Sequence, residues 1–164
     1  ASGLTHIEFG TESFCDRTLE AYGKHFTFGD VVRASRLALD EGVYYAHFLI
    51  LGGYGDTREN VRETIENSRR MEYTVMFPYA GMRIYPHTRL AELAAKEGAI
   101  GRDDDLMAPS YYISRDFDLE EVRRAALATG KAWVFPDDPQ SALADTLRLK
   151  RNKKGPLWEY LRKP

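Results

Sequence analysis

The chain has 164 residues, 43% of them hydrophobic and 29% charged, which is ordinary for a soluble domain with its own core. The net charge of −2 argues against a chain-wide nucleic-acid surface. No apolar run approaches the roughly 18 residues that a membrane span needs, and no signal peptide is visible, so we expect a cytoplasmic protein. The single cysteine, Cys15, excludes an intramolecular disulfide and any site built from several thiolates of this chain.

The first hundred residues alternate between strand and helix patterns. Strand candidates lie at 6–10, 43–51 and 72–79. Helix candidates lie at 27–42, 56–71 and 86–97. This alternation predicts an α/β fold of parallel strands with right-handed crossover helices, about three βα units in all. Because the first strand starts almost at the first residue, we expect the chain to be part of a longer protein.

Capping residues mark the expected helix starts. Thr27 with Asp30, and Asp56 with Glu59, have the spacing of capping boxes, and Asp118 begins another clear helix. After residue 98 the pattern changes to an ordered loop, the helix from Asp118, a short strand candidate at 131–135 and a helix candidate at 138–151. We therefore divide the chain into residues 1–100, the α/β part, and residues 101–164, a mainly helical C-terminal extension.

Polar residues follow the first strand, where parallel α/β folds place their ligands. Glu12 and Ser13 come directly after it, although Glu12 could equally cap or solvate the turn. Lys24 lies twelve residues after Glu12, and a helix or turn between them could fold its side chain back toward Glu12. Such a pair would offer an acceptor for ribose hydroxyls and a cation for a carboxylate. On spacing alone, a surface lysine is the better interpretation.

The second strand ends in three glycines, at positions 52, 53 and 55, before a helix begins. The spacing fits neither phosphate-binding fingerprint, and no lysine follows the last glycine. The glycines indicate a tight turn, or a turn that lets a flat ring lie against bare backbone. After the third strand, Pro78 and Gly81 bend the chain, and Tyr79 and Tyr85 supply an aromatic surface that suits a small-molecule pocket or ordinary packing.

Other reactive residue types have simpler interpretations. His47 lies inside an apolar strand and is predicted to be a core residue with satisfied nitrogens. The acidic run at 103–105 is a solvated loop, and we predict no metal site. The basic tail from residue 148 onward is a solvated face, with RNA contact as the minority interpretation.

The ordered series "GTESFCDRTLEAYGK", "VYYAHFLILGGYGDTRENVRETIE" and "FPYAGMRIYPHTRLAELAAKEG" resembles the second half of the radical S-adenosylmethionine (SAM) barrel. It is closest to the subgroup that often carries a cobalamin-binding domain upstream. The resemblance covers residues 3–98 and implies strands four to six of a partial (β/α) barrel. The turn departs from the family pattern, because Tyr54 stands where the family usually has proline.

The resemblance also implies a set of cofactor-binding residues. Glu12, followed by Ser13, matches the residue that contacts the ribose of SAM, and Lys24 matches the basic residue that faces the methionyl carboxylate. The remaining matches are Ile50 and Gly52, whose backbone would pack on the adenine, and Phe77 and Tyr79, which would border the adenine and the substrate.

The family's three-cysteine loop for a [4Fe–4S] cluster is absent from this chain. The resemblance therefore implies half of a catalytic barrel that is inactive alone. The whole protein would cleave SAM reductively at the cluster to a 5′-deoxyadenosyl radical, with cobalamin as an optional cofactor. The expected partner is the remainder of the barrel, or a second copy paired along the exposed edge. Two alternatives stay open: a non-catalytic interaction or dimerisation module, and an RNA-modifying enzyme of the methylthiotransferase kind.

Overall fold

The computed structural model describes residues 3–101, 104–136 and 155–164. Its strands are β1 (His6–Glu12), β2 (Tyr44–Leu51), β3 (Val75–Ala80), β4 (Met82–Ile84), β5 (Ser110–Tyr112) and β6 (Ala132–Trp133). Its α-helices are α1 (Asp16–Ala21), α2 (Phe28–Asp40), α3 (Arg58–Asn67), α4 (Arg89–Lys96) and α5 (Leu119–Ala128). Short 3-10 helices span Ser68–Arg70 and Leu157–Leu161.

Four strands form one parallel sheet in the order β1-β2-β3-β6, with helices in the crossovers. This arrangement confirms the predicted α/β fold with parallel strands. β6 belongs to the same sheet although it follows residue 100. The proposed division at residue 100 stays a prediction, and the helix candidate at 138–151 lies outside the described residues.

The two faces of the sheet carry different cores. The outer face, which carries Tyr45, Leu49 and Met76, packs against α2, α3 and α5. The inner face carries Ala46, Phe48 and Phe77. Because alternate residues of a strand point to opposite faces, a sheet covered on both sides must be apolar at nearly every position, as β2 and β3 are.

The helix caps confirm two of the three predictions. Thr27 and Asp30 form the expected capping box, and the Asp118 carboxylate accepts the first backbone N–H groups of α5. The prediction that Asp56 caps the next helix is wrong, because Thr57 is the N-cap. The Asp56 carboxylate turns back, accepting hydrogen bonds from the Gly52 N–H at 2.9 Å and the Thr18 hydroxyl at 2.8 Å.

β5 lies in the segment predicted to be a loop and forms an antiparallel ribbon with β4, which follows β3 directly. Each strand has three residues, and they lie far apart in sequence, so neither gives a periodic pattern. Ile84 and Tyr112 from this ribbon pack with Ala94 of α4. No helix in the described parts of the chain is long and apolar enough to span a bilayer.

Candidate functional site

The carboxyl ends of β1, β2 and β3 lie side by side. Gly10, Phe48 and Phe77 stand in one row across the three strands, and Ile50 stands opposite Tyr79 in the next row. Residues in register on parallel strands share a face, so these positions all belong to the inner face. The structure therefore places Ile50, Phe77 and Tyr79, which the resemblance names as cofactor-binding residues, on one face. Their contact with a cofactor stays a prediction.

Glu12 and Lys24 meet at the end of β1. The Lys24 ammonium donates a hydrogen bond of 3.1 Å to the Glu12 carboxylate, and the two side chains are 30% and 24% exposed. α1 reverses the chain between them, and Gly23, at φ +71°, ends that helix. The proposed folding of Lys24 toward Glu12 is thus present in the structure.

Glu12 itself has an unusual backbone. Its φ is +68°, and the register of β1 against β2 shifts between Gly10 and Glu12. A non-glycine residue in the left-handed region is uncommon and costs of the order of 1 kcal/mol. Such residues cluster at binding sites, where the surrounding structure holds them in place. In this conformation the Glu12 carboxylate accepts the hydrogen bond from Lys24.

A ladder of aromatic rings runs along the inner face beside this pair. The Phe48 ring stacks on Phe77 with centroids 5.0 Å apart and on Tyr79 at 6.1 Å. Phe77 is buried, whereas Tyr79 is 43% exposed and ends the ladder. Sequence reasoning missed Phe48, although its position two residues before Ile50 places it on the same face.

The glycine turn after β2 is closed by contacts within the chain. Gly52 has φ +73°, and a Cβ there would lie 2.4 Å from Phe117. A Cβ at Gly53 would lie 2.4 Å from the Tyr22 hydroxyl oxygen. Both glycines are therefore required by the protein's own packing. The contact between Gly52 and an adenine stays a prediction. The packing of Phe117 and Tyr22 is enough to explain why the turn has glycines.

The structure does not bring Ser13 to this group. Ser13 is 1% exposed, its hydroxyl lies 2.8 Å from the Thr64 hydroxyl, and it accepts a hydrogen bond from the backbone N–H of Cys15. Ser13 thus joins the loop after β1 to α3. Cys15 is also buried, with 0% exposure, so its thiol is not accessible to a substrate.

His47 is a core residue, as predicted. Its two ring nitrogens lie 2.7 Å from the Thr11 hydroxyl and 3.1 Å from the Ser35 hydroxyl. Burial lowers the pKa of the imidazole to about 3, so the ring is neutral at physiological pH. A neutral ring with both nitrogens bonded is a structural group.

The C-terminal residues fill the inner face at the opposite end of the strands. Trp158 packs on Ala46 and Val75, and its indole N–H donates to the Glu8 carboxylate at 2.9 Å. The Arg162 guanidinium lies over the Tyr44 ring at 4.0 Å. The sheet is therefore covered at its amino-terminal end and open near Tyr79.

In the described end of the basic tail, the Arg162 guanidinium packs on the sheet, and Lys163 is exposed. Its other cationic residues lie outside the described residues: Arg148, Lys150, Arg151, Lys153 and Lys154. The RNA interpretation thus gains no support from the described part of the tail.

A cluster site does not fit this chain. The described residues contain no group of three or more His, Cys, Asp or Glu side chains able to hold a metal ion. Cys15 is the only cysteine in the sequence, and a [4Fe–4S] site with three protein thiolates needs three. What the open end of the sheet offers is a carboxylate, an ammonium and an aromatic surface, which together suit a polar molecule with a flat ring.

Comparisons with known proteins give two kinds of likeness. No protein-family model matches the chain. An uncharacterised methyltransferase of Pyrococcus horikoshii is 30% identical over 90 residues, which cover 52% of this chain and 20% of the relative. The chain thus spans about a fifth of the length of this curated relative.

Solved structures of TsrM, a radical SAM methyltransferase of Kitasatospora setae, also match. The structure with tryptophan substrate and a SAM analogue has a TM-score of 0.72 and 16% identity, covering 96% of this chain and 40% of that one. The structure with cobalamin and a [4Fe–4S] cluster has a TM-score of 0.48 and 24% identity, covering 56% and 18%. The predicted resemblance is therefore confirmed: nearly the whole chain has the α/β fold of part of a radical SAM methyltransferase.

Proposed function

We propose that this chain supplies the adenosine-contacting and substrate-facing half of the barrel of a radical SAM enzyme of the methyltransferase kind. The observation that carries the proposal is the Lys24–Glu12 pair, held by a left-handed backbone at the end of β1. It adjoins an inner face that ends in the exposed ring of Tyr79. A carboxylate, an ammonium and a ring surface complement the ribose, methionyl carboxylate and adenine of SAM.

Each residue has a distinct role in this proposal. The Glu12 carboxylate accepts hydrogen bonds from the ribose hydroxyls, and the Lys24 ammonium faces the methionyl carboxylate. Ile50 and the backbone at Gly52 lie along the adenine, and Phe77 and Tyr79 border the adenine and the substrate. Ser13 has no role here, because its hydroxyl is buried and already bonded.

The whole protein would cleave SAM reductively at a [4Fe–4S] cluster held by residues beyond this chain. In line with the subgroup resemblance and with TsrM, cobalamin is a further proposed cofactor of the whole protein. This chain alone is expected to hold no cluster and to have no turnover. An iron–sulfur absorption band in the purified chain would contradict that expectation.

The proposed partner is the remainder of the barrel. β1 is at an edge of the sheet and pairs only with β2 among the described strands. A cavity of about 270 Å³ beside it is lined by Phe9, Phe26 and Ala34, among other residues. An unpaired edge next to an unfilled apolar space favours pairing with another strand and its helix. The isolated chain is expected to dimerise along this edge, and a clean monomer in sedimentation at high concentration would contradict the dimer.

Titration of the chain with S-adenosylhomocysteine, followed by NMR, tests the SAM site. We expect weak, saturable shifts at Glu12, Lys24 and Tyr79, because half of the pocket is present. Glu12→Gln and Lys24→Met should each abolish saturation, whereas Glu66→Gln, at an exposed position of α3, should leave it unchanged. Absence of shifts at these residues, or equal binding by the Glu12 variant, would overturn the proposal.

A further inference from the structure

The β4–β5 ribbon has one face buried and one face bare. Ile84 and Tyr112 point into the core beside α4, whereas Arg83 and Tyr111, which pair across the ribbon, are exposed. Tyr85 follows directly, and the Arg83 guanidinium lies 4.8 Å from the centre of its ring. We call these three residues, Arg83, Tyr85 and Tyr111, the ribbon platform.

The ribbon platform has the composition of a binding surface. Tyr85 is 54% exposed and Tyr111 is 53% exposed, so two large rings face solvent. Arg83 forms no ion pair within the described parts of the chain, and its guanidinium is free to accept an anion. Arginine beside a ring binds carboxylates in a bidentate manner and also stacks on planar groups.

The chain fixes the ribbon platform to the open end of the sheet. The Gly81 N–H donates to the Leu51 carbonyl at 2.8 Å, and the Ser114 N–H donates to the Gly52 carbonyl at 2.8 Å. A Cβ at Gly81 would lie 2.6 Å from the Tyr112 carbonyl oxygen, so the two strands approach each other as closely as glycine allows. The ribbon thus begins at the carboxyl ends of β2 and β3, with Met82 three residues after Tyr79.

We propose that the ribbon platform binds the methyl-acceptor substrate, and that this substrate is a small planar aromatic compound with an anionic group. The ring would stack on Tyr85 and Tyr111, and the anionic group would accept hydrogen bonds from Arg83. This inference rests on the proposed function, because it gives the substrate of the same open end a chemical class. It adds Arg83 and Tyr111, which neither the sequence reasoning nor the SAM proposal used.

The test is an NMR titration of the 164-residue chain with 2-naphthoate, compared with the neutral 2-naphthamide and with cyclohexanecarboxylate, which has no aromatic ring. We expect saturable shifts at Arg83, Tyr85 and Tyr111 with 2-naphthoate, and binding about tenfold weaker for each of the other two probes. Equal binding of the amide, or shifts confined to other residues, would overturn the inference.

Variants separate the ribbon platform from the rest of the surface. Arg83→Gln should weaken 2-naphthoate binding about tenfold. Arg83→Lys should retain part of the affinity, because lysine keeps the positive charge but cannot make the bidentate hydrogen bonds of a guanidinium. Arg124→Gln, an exposed arginine on α5, is the matched control and should bind like the parent chain. Equal affinity of Arg83→Gln and the parent chain would contradict the inference.

Two further titrations distinguish the ribbon platform from an RNA-binding surface and from the SAM site. A short single-stranded oligouridylate also combines rings and anions, and its binding to the ribbon platform more tightly than 2-naphthoate would overturn the small-molecule assignment. S-adenosylhomocysteine reports on Glu12 and Lys24, which the ribbon platform does not include. Loss of that signal with 2-naphthoate binding intact would count against the SAM site alone, and the reverse result would count against the ribbon platform alone.

Discussion

The Lys24 ammonium reaches the Glu12 carboxylate at 3.1 Å, and Glu12 adopts a left-handed backbone, at φ +68°. This backbone conformation is unfavourable for glutamate, so contacts in the surrounding structure must offset its cost. α1 connects Glu12 to Lys24, and Gly23 ends that helix. An ion pair that is about a quarter exposed contributes little to stability. A strained residue in a weak pair is more easily explained by binding than by folding.

The backbone strain at Glu12 predicts that a glycine variant at this position is more stable than an alanine variant, the reverse of the order expected within a helix. Glu12→Gly and Glu12→Ala both remove the ion pair, but only alanine keeps the cost of a positive φ, so the glycine variant should be more stable by about 1 kcal/mol. Urea unfolding followed by circular dichroism measures the difference. At Glu63, inside α3, the same two substitutions should rank in the opposite order by about 1 kcal/mol. An alanine variant at position 12 as stable as the glycine variant would rule out the left-handed backbone there.

His47 predicts a pH dependence of stability. Burial lowers its pKa in the folded chain to about 3, against about 6.5 when unfolded. The unfolded state therefore binds the proton first, and the stabilising effect, complete above pH 6.5, is lost as the pH falls toward 3. Between pH 7.5 and 5 the free energy of unfolding should drop by about 2 kcal/mol from this group.

The comparison that isolates His47 uses two substitutions. His47→Gln does not titrate and should flatten the profile over that range, whereas His25→Gln, at an exposed position, should leave the slope unchanged. Urea midpoints at a series of pH values provide the measurement. A His47→Gln profile as steep as that of the parent chain would show that the imidazole is not buried in a neutral form.

We expect Gly52→Ala to destabilise the protein through a clash with Phe117, which the substitution Phe117→Ala should relieve. Gly52→Ala forces alanine to φ +73° and places its Cβ 2.4 Å from Phe117, so the loss should exceed the cost of the backbone alone. Gly42→Ala is the matched control, because its φ is +68° and nothing lies within 4 Å of the added Cβ; it should cost about 1 kcal/mol.

A double-mutant cycle with Phe117→Ala tests the same contact. The clash should disappear in Gly52→Ala/Phe117→Ala, so the two losses should be less than additive by about 1 kcal/mol or more. Strict additivity in chemical unfolding would contradict the close approach of the two residues.

Trp158 predicts that the last ten residues stabilise the sheet. The side chain is 6% exposed and packs on the inner face, so Trp158→Ala should cost about 3–5 kcal/mol. If that variant does not fold, Trp158→Phe should still cost about 1–3 kcal/mol, because the Glu8 carboxylate loses its donor. Met107→Ala, at 83% exposure, should change little. A loss below about 1 kcal/mol for Trp158→Ala would show that this segment does not cover the sheet.

Local patterns predicted the elements that depend on near neighbours. The apolar run that became β2, the Thr27–Asp30 box and the Asp118 cap all appear, because burial period and capping act within a few residues. The predicted capping box at Asp56 is absent because the Asp56 carboxylate accepts hydrogen bonds from the Thr18 hydroxyl and the Gly52 N–H. The adjacent Thr57 is the N-cap of α3.

By itself the sequence determined the alternation of strands and helices, the parallel order that puts the ends of the first three strands at one edge of the sheet, and the lack of cysteines for a cluster. These follow from periodicity, from the parallel connection rule and from composition. Only the tertiary structure decided that Ser13 is buried, that Phe117 leaves no space for a side chain at Gly52, and that Arg83 and Tyr111 share an exposed face. Each of these depends on contacts between residues far apart in the chain, which no local pattern encodes.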